Sequence, residues 1–492
     1  MSYLKNYFSK VNSENYNSGA IAFLASLDNI AKTAPAITYS IIQELKDQRS
    51  YLKLIASENY SSLAVQQCMG NLLTDKYSEG FPFHRFYAGC DNVDAVENLA
   101  VEQAKAVFKA DHAYVQPHSG ADANLIAYWA VLIQRIQNTE IEKLGKKRIE
   151  DLTDKEYEKI RNLMHKQKIM GMALDSGGHL THGYRTNISS KFMRSFSYRV
   201  DPETYLLDYA SLKKQVKKVK PLILMVGYSA YPRLINFAKM REIADSVNAT
   251  LIVDMAHFAG LVAGKVLEGE MDPVPYADIV TSTTHKTLRG PRGGLILCKN
   301  HFKESIDKGC PFVIGGPLPH VMAAKAVAFM EANTEEFKQY AHQVVLNSKA
   351  LAERLLSLGA QIVTNGTDNH LALINVQKTF NLTGKQAEVA LRQAGMTVNR
   401  NSIPYDTNSP WLSSGIRVGS PALTTRGMKE HQFHEIADLI YLLLKNTTSA
   451  KKPDGQMSKS DVEIPGKIVH EVQTRIQDLL KAFPLYPEII ID

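Results

Sequence analysis

Three apolar runs at equal spacing constrain this chain more than any other feature. Leu222-Ile223-Leu224-Met225-Val226 leads into Gly227-Tyr228-Ser229, and Leu251-Ile252-Val253 leads into Asp254-Met255-Ala256-His257. Ile279-Val280 leads into Thr281-Ser282-Thr283-Thr284-His285-Lys286. Val226, Val253 and Val280 are each 27 positions apart, the spacing of strand–helix–strand units. The intervening segment Phe237-Ala238-Lys239-Met240-Arg241-Glu242-Ile243-Ala244 has apolar residues at 237, 240, 243 and 244, which predicts the first crossover helix. Continuous apolar runs joined in this way imply a parallel sheet covered on both faces. The polar ends then gather on its carboxyl edge, where open α/β sheets bind ligands.

An aspartate and a lysine at neighbouring strand mouths suit one kind of chemistry. Pyridoxal phosphate needs a lysine for its Schiff base, here Lys286, and a carboxylate, here Asp254, to keep its ring nitrogen protonated. Taken singly, Lys286 reads as a solvated loop residue; the spacing is what makes it a candidate. His118-Ser119-Gly120-Ala121-Asp122-Ala123-Asn124 opens an apolar helix, so its free N–H groups suit a phosphate. No Gly-Lys-Ser/Thr follows it, which excludes a P-loop, and it does not match a dinucleotide fingerprint.

Other clusters carry two readings each. Gly177-Gly178-His179-Leu180-Thr181-His182 could supply metal ligands, but no further ligand is evident nearby, and His179 stacked on a cofactor ring suits the flanking glycines. His257 could donate to a ring oxygen. Arg417, in Ser414-Gly415-Ile416-Arg417-Val418-Gly419, is either a structural ion pair or a bidentate clamp on a substrate carboxylate. Tyr77-Ser78-Glu79-Gly80 and Arg85-Phe86-Tyr87 crowd aromatics around one glutamate, either as a solvated loop or as a proton-transfer site.

Composition narrows the partners. Lys and Arg number 57 against 50 Asp and Glu, a net charge of +7 over 492 residues. With no basic block interleaved with aromatics, no nucleic-acid groove is indicated. Cys68, Cys90, Cys298 and Cys310 form no C-x-x-C, so reduced thiols in a cytoplasmic protein are expected and no metal site. No apolar stretch approaches the roughly 20 residues of a membrane span.

The expected organisation is a polar, loosely held tail to about residue 20 and a helical arm, together 1–85. A large α/β domain follows over 86–331, with a charged surface insertion at about 133–172. A long helical segment, Val321 to Leu358, bridges to a small C-terminal domain over 332–492. That domain has strand candidates at Gln361-Ile362-Val363 and Leu371 to Val376, an exposed loop at about 447–466, and a last helix from Lys467 to Ala482.

Ten runs, in order from about residue 50 to 425, resemble serine hydroxymethyltransferase, a pyridoxal phosphate enzyme of the aspartate-aminotransferase fold (type I). They are Leu54-Ile55-Ala56-Ser57-Glu58-Asn59-Tyr60, Tyr77-Ser78-Glu79-Gly80, Gln116-Pro117-His118-Ser119-Gly120, Gly177-Gly178-His179-Leu180-Thr181-His182-Gly183 and Val253-Asp254-Met255-Ala256-His257. Thr283-Thr284-His285-Lys286-Thr287, Gly290-Pro291-Arg292-Gly293-Gly294, Gly315-Gly316-Pro317, Thr367-Asp368-Asn369-His370 and Gly415-Ile416-Arg417 complete them. The likeness is to a bacterial form with a long insertion in the large domain.

The resemblance implies a homodimer with shared active sites. By it, Lys286 is the Schiff-base lysine, Asp254 pairs with the ring nitrogen, His179 stacks on the ring, and Ser229 and His257 reach the ring oxygen. Ser119, Gly120 and Ala121 hold the phosphate, with Tyr77, Tyr87, Gly315 and Gly316 completing the cofactor site; Tyr87 and Gly316 come from the partner subunit. Thr283 and Tyr87 join the catalytic set, and Glu79, also from the partner subunit, is the proton shuttle. Arg417 and Ser57 bind the substrate carboxylate, and Leu174, Leu180 and Asn401 line the tetrahydrofolate site. The implied reaction converts L-serine and tetrahydrofolate to glycine and 5,10-methylenetetrahydrofolate. The family's Ser-Gly-Ser phosphate turn is Ser119-Gly120-Ala121 here, Ile314 replaces a usual glutamine, and the insertion enters close to Leu174. The alternatives are a folate-independent aldolase or amino-acid racemase, against which Glu79 and Asn401 speak, and a non-catalytic RNA-binding homologue, against which intact Lys286, Asp254 and Arg417 speak.

Overall fold

In the computed structural model, which describes residues 2–491, the three equally spaced runs become neighbouring strands. The large sheet contains β1 (His112–Tyr114), β2 (Lys168–Met172), β3 (Arg194–Tyr198), β4 (Ile223–Gly227), β5 (Thr250–Asp254), β6 (Ile279–Thr283) and β7 (Gly294–Cys298). Its order is β1-β7-β6-β5-β4-β2-β3. Neighbours from β3 to β6 are parallel, and β7 runs antiparallel to β6 and β1. Val226 stands in register with Val253, and Val253 with Val280. Every residue of β4, β5, β6 and β7 is buried, because helices cover both faces.

Those helices include α1 (Asp91–Phe108), α2 (Gly120–Leu132) and α3 (Pro319–Ala332). The helical segment expected as continuous from Val321 is interrupted. α3 stops at Ala332, and Thr334 caps α4 (Glu335–Ser357) by accepting from the Phe337 N–H at 3.3 Å. A threonine hydroxyl competing for the backbone ends one helix and starts the next.

α4 reaches a second core under a three-stranded antiparallel sheet of β8 (Leu371–Asn375), β9 (Asn399–Asn401) and β10 (Gly415–Gly419), in the order β8-β10-β9. Gln361 to Val363 is not a strand as expected. Ile362 makes one bridge to Ile374, and the chain then turns through Thr364 at φ 65°. Leu52 and Leu54, from the arm, belong to this second core, and Leu52–Lys53 pairs in parallel with Met396–Thr397.

Three further expectations need correction. The tail is not loose: Tyr3–Lys10 is a helix whose Tyr7 is 1% exposed, and Asp28 accepts from the Ser2 hydroxyl and the Tyr3 and Leu4 N–H groups. The surface insertion ends sooner than residue 172, because Lys168–Met172 is β2, a strand inside the sheet. Charged neighbours at 143–168 mask that short apolar run. The stretch 447–466 is largely a hairpin, Thr448–Lys451 with Met457–Glu463, in which polar residues face solvent.

Leu251, fully buried on β5, tests the central role of this sheet. Leu251→Ala is expected to destabilise the protein by about 2–5 kcal/mol, read as a lowered urea midpoint.

Candidate active site

The carboxyl ends of β4, β5 and β6 meet the N-terminus of α2. Ser119 is the cap of α2: its side chain accepts from the Asp122 N–H at 3.1 Å, leaving its own hydrogen free to donate. Ala121 is exposed and offers only its backbone N–H. Gly120 is needed for packing, since a Cβ there would stand 2.7 Å from Thr283 Cγ2. That contact ties the turn to the end of β6. The buried Nε2 of His118 beside it has no hydrogen-bond partner among the described residues.

Asp254 ends β5 and is 7% exposed. Oδ2 accepts from Asn124 Nδ2 at 2.9 Å and from His182 Nε2 at 3.1 Å; Oδ1 accepts from the Ala256 N–H at 3.0 Å. The His179 N–H donates to His182 Nδ1, so that ring carries its hydrogen on Nε2, aimed at Asp254. Burial alone would push the Asp254 carboxyl up, but His182, His179 and Asn124 more than offset it and hold it well below the usual range. The site therefore contains a permanent buried anion. Gly227 allows it, being in the left-handed region at φ 133° with no side chain to strike the Asp254 backbone.

Lys286 follows β6 and is pushed down to about 8, by burial first and then by Arg417 and Arg292, while Asp254 opposes the fall. Asn59 donates to the Lys286 carbonyl at 2.9 Å and fixes its turn. Arg417, from β10, reaches across from the second core. Its Nη1 donates to the Ser229 carbonyl at 2.5 Å and its Nε to Asn399 Oδ1 at 3.1 Å. Burial lowers it to about 10, yet it remains a cation, and no carboxylate lies within 4 Å of it among the described residues. The structural ion-pair reading of this arginine therefore fails.

His257 and His370 share a hydrogen at 3.1 Å. Burial depresses both, His370 to about 3, and the nearby cations Lys286 and Arg417 add to the effect. His179, lowered by burial to about 4, is held by Thr181 at 2.7 Å. Ligating atoms of His179, His182 and Asp254 lie within 4.8 Å of one another, so the third group that the sequence does not reveal beside the two histidines is Asp254. The hydrogen bonds just described account for the grouping without an ion. Ser57 lines a cleft with His285 and Arg292, and the Gly419 N–H donates to the Leu54 carbonyl, bringing that segment alongside β10. A cavity of about 520 Å³ lies over Leu174 and His179, with Ser402 on its rim; Leu180 is exposed, and Asn401 ends β9.

Five expected residues form a separate group. Glu79 accepts from Tyr77 at 3.2 Å and Tyr87 at 3.1 Å, and Gly316 lies against the Tyr77 ring; Gly315 is exposed beside it. The charges acting on Lys286 are those of Asp254, Arg417 and Arg292, not Glu79. Sequence reading also gives no role to Asn59, Asn124, His370 or Asn399, and weighs His182 only as a metal ligand. Asn124 could have been found by helix phase, four residues along α2 from Gly120 and on its buried face; the others depend on loop packing.

A lysine and a carboxylate at adjacent strand mouths, a helix N-terminus between them and this strand order define an enzyme of the pyridoxal phosphate fold type I. The profile of the family described as serine hydroxymethyltransferase matches residues 30–143 and 157–440, and the chain belongs to that family. It is 55% identical over 486 residues to the serine hydroxymethyltransferase of Treponema pallidum, covering 99% of this chain and 84% of the relative. The Cutibacterium acnes protein of the same name is 52% identical over 95% of both chains, and that of Chlamydia trachomatis serovar D 51% over 100% and 98%. The profile passes over residues 144–156, within the charged excursion after α2.

Labelling of Lys286 in cofactor-free protein by an amine-reactive reagent, followed by mass spectrometry against pH, should titrate near 8. Asp254→Asn should shift that midpoint downward, because the carboxylate is what holds the ammonium up, and Arg417→Met should shift it upward.

Proposed function

We propose that the protein interconverts L-serine plus tetrahydrofolate with glycine plus 5,10-methylenetetrahydrofolate, serving glycine synthesis and one-carbon supply. The observation that carries this is the convergence of Asp254, Lys286 and Arg417. An anion, an amine near neutrality and a guanidinium without a carboxylate partner among the described residues fit a cationic ring, a carbonyl and an amino-acid carboxylate. Pyridoxal phosphate, when bound, supplies the sink for the electron pair released at the substrate α-carbon.

The residues have the following roles. Lys286 holds the cofactor covalently, and Asp254 keeps the ring nitrogen protonated. The Ser119 hydroxyl and the N–H groups of Gly120 and Ala121 receive the phosphate at the positive end of α2. His179 covers the ring, Ser229 and His257 face its oxygen, and Thr283 forms the floor beside Gly120. Arg417, with Ser57, orients the substrate by its carboxylate; a guanidinium matches that group in two bonds. Folate occupies the cavity over Leu174, with Leu180 and Asn401 at its edge, where it receives the one-carbon unit.

A second copy of the chain completes the site. Tyr77, Phe83, Phe86 and Phe312 are each more than half exposed near Glu79, an apolar surface that a homodimer would cover. Glu79 of the partner subunit then moves the serine hydroxyl proton, Tyr87 and Gly316 of the partner subunit close the phosphate end, and Tyr77 and Gly315 complete the cofactor site. The chain works in the cytoplasm on small molecules, without nucleic acid, a bound metal or a membrane; no helix among the described residues is long and apolar enough to cross one.

Two experiments test this. Purified protein with pyridoxal phosphate should show a visible band, and glycine should add a red-shifted band that tetrahydrofolate strengthens. Indifference to folate would favour an aldolase or racemase, and absence of any band would remove the cofactor reading. Separately, Glu79→Gln and Lys286→Ala chains, each inactive alone, should regain about a quarter of wild-type activity after unfolding and refolding together, since half the dimers have one intact site. No recovery would mean that Glu79 serves its own chain.

A further inference from the structure

α3 contains a buried lysine that the proposed mechanism does not use. Lys325 is 1% exposed, and its Nζ donates to the carbonyls of Val115 at 2.5 Å and Pro117 at 3.0 Å. Among the described residues no carboxylate lies within 4 Å of it, unlike the buried Arg85, which has both Asp94 and Glu97. Its stem passes so close to Gly293 that a Cβ there would stand 2.5 Å from Cε. Lys325 thus sits beneath the crossing of two segments. One leads through Gln116 and Pro117 to the Ser119-Gly120 turn; the other is the return from Lys286 through Gly293, where the Gly294 N–H also donates to Pro117. On the opposite side Gln116 donates to Glu97 and to the Gly80 carbonyl, so residues 115–117 are gripped from both sides.

A neutral amide could satisfy two carbonyls at less cost. A buried ammonium without a counter-charge costs several kcal/mol unless it loses its proton, and burial does bring Lys325 down to about 7, against the distant pull of Glu97 and Asp122. A group of this kind suits a place where an anion arrives. We propose that Lys325 is a positioning residue for the phosphate end of the cofactor site, holding the Val115 and Pro117 carbonyls back so that the turn's N–H groups face the ligand, and charging when a dianion binds above it. This rests on the pyridoxal phosphate reading.

The test compares pyridoxal phosphate with pyridoxal, which lacks only the phosphate, by visible titration of cofactor-free wild type, Lys325→Met and Lys325→Gln. Lys325→Met should weaken pyridoxal phosphate by about 10–100-fold, the scale of a charge-assisted contact, and pyridoxal by much less; Lys325→Gln should fall between. A purely structural lysine would change both ligands equally, and that result, or no change, overturns the proposal. If the Met variant does not fold, the ratio of the two affinities in the Gln variant decides the same question. A wild type that binds both ligands equally, or neither, instead removes the cofactor reading on which the proposal depends.

Discussion

The charged state of Asp254 is the condition on which the rest of this site depends. A carboxylate taken from water into a protein interior loses several kcal/mol of solvation. Here three donors compensate, each worth about 1.5–3 kcal/mol when the acceptor is charged. They come from separate parts of the chain: Asn124 on α2, His182 in the loop after β2, and the backbone just past β5. One buried charge therefore ties the phosphate turn, the histidine loop and the sheet edge to a common point. The same charge keeps Lys286 from falling further, so the amine is reactive near neutrality without being lost as a cation.

The second core contributes differently. β10 extends Arg417 over the edge of the large sheet, where it meets the Ser229 carbonyl but, among the described residues, no carboxylate. The cation thus remains available to a ligand. Since it belongs to the smaller core, a ligand carboxylate bound there would bridge the two cores. The Glu79 hairpin makes a third contribution. Arg85, Glu97 and Gln116 clamp it to the segment leading into α2, although its own tyrosine-lined face points to an exposed apolar surface.

The parts of the fold that could be read early are those governed by local periodicity. Equal spacing of the runs ending at Val226, Val253 and Val280 implied strands of one parallel sheet, and they are. The readings that failed are those where local pattern misleads. β2 is short and follows a charged helix, so its burial could not be told from composition. The tail helix is held by Asp28, which is far from it in sequence. Gln361 to Val363 has strand-like residues but is turned aside by Thr364 and Gly366. In each case a tertiary contact overrode a weak local signal.

For the site the division is similar. By itself the sequence determined that Asp254 and Lys286 follow hydrophobic runs that must be buried as strands, and that the Ser119 turn opens an apolar helix. It also carried, in ten ordered motifs, the family to which the chain belongs. Only the tertiary structure decided that His182 and Asn124 keep Asp254 charged, that Arg417 has no carboxylate partner among the described residues, and that Lys325 lies beneath the phosphate turn. Those facts concern distances between segments remote in the chain and the low dielectric around them. Hydrophobic pattern determines which residues are buried, but not which polar groups they meet there.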